Sequence, residues 1–192
     1  ACHRFLIPCG TAPDLTDGVV DLAQYSDALS WTVSRPERTT LYMKTKGDTL
    51  YYAALVEAPR PSGNMKTALY VNHNDDGGAP ESGDYAFAIK SEVQGEQDDF
   101  YAADIGVQNF LWEMQDNGST YLVEEAIPLA QIGGPVSPRK LVKLAISSKS
   151  SGPWPAAFDL ADFPEDGMAD AAIASCDCGE ASITVAPACA GL

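Results

Sequence analysis

Short runs of alternating apolar and polar residues, each closed by a cluster of turn-forming residues, recur through the middle of the chain. A period of two marks strands with one buried face, and repeated short runs broken by turns mark an antiparallel all-β architecture. The pattern predicts strands at 39–45, 49–57, 66–71, 84–92, 100–107, 110–114, 120–126 and 140–147. In DYAFAIKSE, Tyr85, Phe87 and Ile89 share one face. Lys46-Gly47-Asp48 and Asp116-Asn117-Gly118 read as tight turns. Helical signal is confined to a turn or two around residues 20–24 and a single turn at 128–132. The fold class expected is all-β: an antiparallel β-sandwich of jelly-roll or immunoglobulin-like layers with little helix. The expected division is an N-terminal tail (1–13), a sandwich domain (14–152), and a C-terminal wrap (153–192) that ends in a strand at 182–185.

Charge narrows the partners. Twelve basic against 27 acidic residues in 192 leave a formal charge of −15, which argues against nucleic acid and anionic membrane surfaces. No apolar run approaches the roughly 20 residues of a membrane-spanning helix, so membrane insertion is not expected.

The five cysteines sit near the ends, at Cys2, Cys9, Cys176, Cys178 and Cys189. That placement suits disulfides that tie down tails in an oxidising compartment, and Ala1-Cys2 reads as a mature N-terminus; the expectation is a secreted protein. Cys2–Cys9 is the expected local pair, across the Ile7-Pro8 bend. An odd count leaves one thiol free or paired with another chain. A zinc site built from Cys176, Cys178, Cys189 and His3 is the weaker reading, because no Cys-x-x-Cys knuckle is present.

The stretch YVNHNDDGG, residues 70–78, offers oxygen ligands at alternate positions: Asn72, Asn74 and Asp76, followed by Gly77. This resembles the start of a calcium loop, yet Gly83 stands where a helix–loop–helix site needs glutamate. What survives is a hairpin end that doubles as a calcium site at the sandwich edge, completed by Asp84 and by Asp17 or Asp21.

Catalytic patterns are missing: there is no nucleophile elbow, phosphate loop or His-Glu-x-x-His, and the two histidines are His3 and His73. Glu124 and Glu125 cannot flank one bond, since neighbours on a strand point to opposite faces. No enzyme is expected. The tryptophans are better ligand candidates, because sugar rings stack on aromatic planes. Trp154, between Pro153 and Pro155, and Trp112 are the candidates for sugar contact, with Trp31 assigned to the core. Asn117-Gly118-Ser119 is a glycosylation sequon in an accessible turn.

Several segments resemble, in order, the family 9 carbohydrate-binding modules and their DOMON-like relatives. They are Asp17-Gly18-Val19-Val20-Asp21 with Trp31, Gly47-Asp48-Thr49-Leu50-Tyr51-Tyr52, Leu69-Tyr70-Val71-Asn72 before an acidic loop, and TYLVEEAIPL at 120–129 before Ile132-Gly133. The resemblance covers about residues 14–152 and implies a calcium-stabilised extracellular β-sandwich that binds sugar. The expected role is a secreted, non-catalytic module recognising extracellular glycan. The alternative is a structural subunit of a filament, surface layer or matrix, assembled from copies of itself through its tails or an intermolecular disulfide.

Overall fold

The computed structural model describes residues 5–34, 37–60, 66–74, 84–90, 94–99, 110–134, 139–148, 168–174 and 176. Among them, eleven strands form two sheets. The five-stranded sheet has the order β2 (Leu29–Val33), β3 (Thr39–Lys46), β4 (Thr49–Val56), β9 (Tyr121–Pro128), β8 (Leu111–Asp116), antiparallel throughout. The six-stranded sheet has the order β1 (Phe5–Ile7), β11 (Ala169–Ala174), β10 (Arg139–Ser148), β5 (Lys66–Asn72), β6 (Tyr85–Lys90), β7 (Gln94–Asp99). The expected sandwich is present.

Alternation dictates the layering. Leu41 and Met43 of β3, Leu50, Tyr52 and Val56 of β4, and Val123 and Ile127 of β9 face inward and join one core cluster. Opposite them stand Leu69 and Val71 of β5, Phe87 and Ile89 of β6, and Val142, Leu144 and Ile146 of β10, in the same cluster. A buried hydrogen bond between the hydroxyls of Thr67 and Tyr121, 2.9 Å long, ties the two sheets across this interior. Burial of such side chains contributes about 1.5–3 kcal/mol each and is the main force closing the layers.

Four strands, β2, β7, β1 and β11, are not among the predicted runs. β2 (LSWTV) does alternate, with Leu29, Trp31 and Val33 towards the core; β11 reads ADAAIA, in which alanines carry no period, and β1 is three residues long. β1 lies parallel to β11, with Ile7 opposite Ile173, so the first and last described strands are neighbours in one sheet. Both strands lie outside residues 14–152. The expected strands at 100–107 and 182–185 fall outside the described residues.

The pairing of β1 with β11 corrects the disulfide expectation. Cys9 is bonded to Cys176, with Cα atoms 5.7 Å apart and 167 positions of sequence between them, so it is not the partner of Cys2. β1 delivers Cys9 beside Thr45, whose backbone N–H donates to Pro8 O, and β11 delivers Cys176 to the same place. The long-range pair wins because parallel pairing supplies a geometry that a local bend does not. Closing so long a loop contributes roughly 2–5 kcal/mol in the chain-entropy picture. Cys2, Cys178 and Cys189 lie outside the described residues.

Candidate functional site

The outward face of the five-stranded sheet is not left bare. Residues 10–28 cross it, bearing a 3₁₀ turn (Leu22–Tyr25) whose N-cap, Asp21, accepts from Ala23 N–H. Cross-strand register sorts this face into rows. One runs Tyr42, Ala53, Glu124, Glu113; the next runs Lys44, Tyr51, Ala126, Leu111.

Lys44 is fully buried beneath the cover. Its ammonium group donates to Gln24 O, to Asp27 Oδ1 at 2.7 Å and to Thr11 Oγ1, and it lies 4.9 Å from the centre of the Tyr25 ring. Asp27 Oδ2 also accepts from the Thr11 N–H and hydroxyl. These bonds fasten the cover at one end.

Tyr25 fastens it at the centre. Its hydroxyl donates to Glu124 Oε1 at 2.7 Å inside a buried pocket. Burial, then the Glu124 charge, push the Tyr25 hydroxyl well above the ordinary tyrosine range. Burial likewise pushes the Glu124 carboxyl up to about 7, aided by the charges of Glu113 and Asp17, while the Tyr25 bond and Lys44 pull it down. Glu113 stands directly across from Glu124 and accepts from Gly18 N–H at 2.9 Å. Like charges directly opposite are unfavourable, which is consistent with the raised Glu124.

Glu125 faces the other way. It shares the core-facing row of Leu29, Met43, Tyr52 and Trp112, is 1 % exposed, and its Oε2 has no hydrogen-bond partner among the described residues. Burial holds its carboxyl well above the ordinary range. The two glutamates thus point to opposite faces, as alternation requires, and do not form a catalytic pair.

Beside the acidic row lies a groove of about 380 Å³. Its floor is the small side chain of Ala126, set between Tyr51 and Leu111 in the register. Phe110 adds a further apolar surface; Thr49 supplies a hydroxyl; the cover segment Pro13, Asp14, Leu15 and Thr16 forms the opposite wall. Asp14 Oδ1 accepts from the Thr16 N–H and hydroxyl, which hold its carboxyl below the usual range. Leu111 is 60 % exposed on this face. The signal for this groove was present in TLYYAALVE: Leu50 and Tyr52 face the core, so Tyr51 must point outward.

The expected ligand residues fall in several places. Trp112 packs partly buried against the core, and so does Trp31, which stacks on Phe5 with ring centres 4.8 Å apart. Trp154 lies outside the described residues. Asn117 is exposed in the β8–β9 turn, where Gly118 has φ +82°.

Of the proposed calcium ligands, Asn72, Asn74 and Asp84 come together. Asn72 Oδ1 accepts from Asn74 N–H at 3.1 Å, and buried Asp84 accepts through Oδ1 from the backbone N–H of His73, 2.9 Å away, with His73 Nδ1 at the same distance. Gly133 (φ +80°), the left-handed end of the second 3₁₀ turn (Leu129–Ile132), packs here; a Cβ on it would come within 3.0 Å of His73 Cδ2 and 3.4 Å of Lys140 Nζ. Burial lowers the Lys140 ammonium's proton affinity. Asp76 lies outside the described residues. Asp17 and Asp21 do not join this cluster: both belong to the cover of the five-stranded sheet, Asp21 as a helix cap and Asp17 near Glu124. Among the described residues no group of three or more His, Cys, Asp or Glu side chains is arranged to hold a metal ion.

No protein-family sequence model and no curated protein matches the chain. Solved structures do. The chain is similar to a family 9 carbohydrate-binding module from Caldicellulosiruptor kristjanssonii in complex with cellotriose, with a TM-score of 0.66 at 17% identity, covering 96% of this chain and 98% of that one. It is also similar to a family 9 module from the same organism in complex with glucose, with a TM-score of 0.63 at 15% identity, covering 95% and 100%. The chain therefore has the β-sandwich fold of the family 9 carbohydrate-binding modules.

Proposed function

We propose that this protein is a non-catalytic module that binds extracellular carbohydrate. The observation that carries the reading is the end-to-end likeness of its sandwich to family 9 modules solved with cellotriose and glucose. The chemistry is compatible: the two adjacent glutamates point to opposite faces, and half-buried tyrosines on strand faces suit sugar stacking. A secreted location is supported by the Cys9–Cys176 disulfide, a bond that persists in oxidising compartments. Calorimetric titration with glucose, cellotriose and a panel of other glycans tests the reading. Saturable binding of at least one glycan is expected; absence of binding across the panel overturns it and leaves self-assembly as the reading to pursue.

Calcium belongs to the same proposal. Asn72 Oδ1 and Asp84 Oδ1 lie on one turn with Asn74 beside them, in a chain at −15 whose acidic balance favours divalent cations. Binding to the folded state alone raises stability by roughly 2.7 kcal/mol at a hundred times Kd. A melting temperature that rises with millimolar calcium and falls with chelator is expected. Indifference to both removes calcium from the proposal.

A further inference from the structure

We infer that Glu113 and Glu124 share one proton between their carboxyl groups, and that this proton latches the cover onto the five-stranded sheet. The latch belongs to the fold and is independent of the ligand proposed above.

The two residues are register partners on β8 and β9, on the outward face. Side chains directly opposite on antiparallel strands have Cβ atoms about 4.5–5.5 Å apart, within reach of two glutamates. Each carboxyl has one oxygen engaged and one idle. Glu113 Oε1 accepts from Gly18 N–H at 2.9 Å, and Glu124 Oε1 accepts from the Tyr25 hydroxyl at 2.7 Å. Glu113 Oε2 and Glu124 Oε2 are buried and have no hydrogen-bond partner among the described residues. Glu124 as a whole is 1 % exposed. Two buried acceptors side by side with no donor are costly, and more so if both are charged. One proton turns them into a donor and an acceptor: Glu124 Oε2–H donates to Glu113 Oε2.

A cation fits the place less well. Calcium takes six to eight oxygen ligands. Among the described residues no third His, Cys, Asp or Glu joins the pair in a metal-holding group. Positive charge is already supplied on this face by Lys44. The groups facing Glu124 are Tyr25 and Asp17 from the cover, Glu113 from β8, Lys44 and Tyr42 from β3, and Tyr51 from β4. Burial, with the charges of Glu113 and Asp17, outweighs the Tyr25 bond and Lys44, and pushes the Glu124 carboxyl up to about 7. Such a value belongs to the pair.

The pair is where the sheet holds the middle of the cover, since Gly18 and Tyr25 both donate to it. Residues 13–16, the wall of the groove, lie between Gly18 and Thr11, which Asp27 holds. When this segment lifts, water reaches both carboxyls, and a glutamate in water ionises near pH 4.3. While it is closed the pair keeps its proton to about 7. Opening therefore releases a proton and becomes easier as pH rises from about 4.5 to about 7, then levels off. The groove wall is held tightly in weak acid and more loosely at neutrality and above.

The test uses the whole protein in chelator, so that no divalent ion bridges the pair. In carboxyl-carbon NMR, Glu113 and Glu124 should respond together near pH 7, and Glu113→Gln should move Glu124 downward from about 7. Hydrogen exchange at the Gly18 N–H, corrected for its intrinsic rate, should lose protection by up to about tenfold per pH unit between about 4.5 and 7. Glu124→Gln keeps an acceptor for Tyr25 but cannot ionise, and should remove most of that dependence. Both variants preserve shape, and the wild-type titration stands without them. If Glu113 shows no step near 7 and Glu113→Gln leaves Glu124 in place, the proton is not shared. If Gly18 protection is flat with pH in wild type, or equally steep in Glu124→Gln, the pair is not the latch. Either result overturns the proposal.

Discussion

Glu124 and Glu125 are neighbours in the chain, yet they sit in two different media. Glu124 enters a polar layer trapped between sheet and cover, where Tyr25 donates to it and Lys44 lies near enough to favour its charge. Glu125 enters the apolar interior beside Tyr52 and Trp112, where burial raises its carboxyl. Both are raised, and the partners in the polar layer keep Glu124 near 7. The difference teaches that burial sets the direction of a carboxylate's shift, and local donors and charges set how far it goes.

The sign of the pH dependence follows from the raised values. An unfolded glutamate releases its proton near pH 4.3. Between there and about 7 the unfolded chain has ionised while folded Glu124 still holds its proton, so stability falls as pH rises through this window. Above it the Glu124 contribution levels off. Glu125, also raised by burial, contributes a decline of the same sign.

The largest effect is expected from breaking the polar layer at Lys44. Lys44→Ala removes the bonds to Gln24, Asp27 and Thr11 and the contact with Tyr25, and should cost roughly 2–4 kcal/mol in denaturant unfolding. Hydrogen exchange should accelerate across residues 10–28 while the β3–β4 ladder stays protected. Uniform acceleration everywhere would mean that the cover is not a separate layer.

The core side is probed by Glu125→Gln, which removes the ionisation while keeping the shape. At pH 8 the variant should be the more stable in denaturant unfolding, because burial no longer has to hold a proton on this side chain against its tendency to ionise in the unfolded chain. Near pH 4 the two should match. A constant difference across the range would show that Glu125 does not titrate with folding.

Tyr25→Phe gives the smallest effect and the sharpest comparison. Loss of the hydrogen bond should cost on the order of 1 kcal/mol. The bond favours the ionised Glu124, so its removal should move Glu124 upward from about 7, towards the behaviour of Glu125. Carboxyl-carbon NMR titration reads this directly; an unmoved Glu124 would assign its value to burial and Lys44 alone.

Much of the sandwich was legible without coordinates. The runs that became β3, β4, β5, β6, β8, β9 and β10 carry alternation or bracketing turn residues, and both 3₁₀ turns lie where helical signal was noted. The opposed faces of Glu124 and Glu125 follow from strand geometry alone. The polar layer was less legible. Lys44 reads as an ordinary outward strand residue, and nothing local says that residues 10–28 return over it. The groove was half legible, since Tyr51 had to face outward while its trough depends on residues about 60 and 75 positions away.

By itself the sequence determined the period of β3 to β6 and β8 to β10, the opposed faces of their side chains, the turns between them and the acidic balance, because these follow from covalent geometry and near neighbours. The tertiary structure alone decided which strands stand side by side. That choice placed Cys9 on Cys176 across 167 residues, brought β1 alongside the alanine-rich β11, and set Ala126 between Tyr51 and Leu111. Strand partners are selected by the packing of two whole sheets against one core, a free energy spread over many side chains that no short stretch of sequence contains.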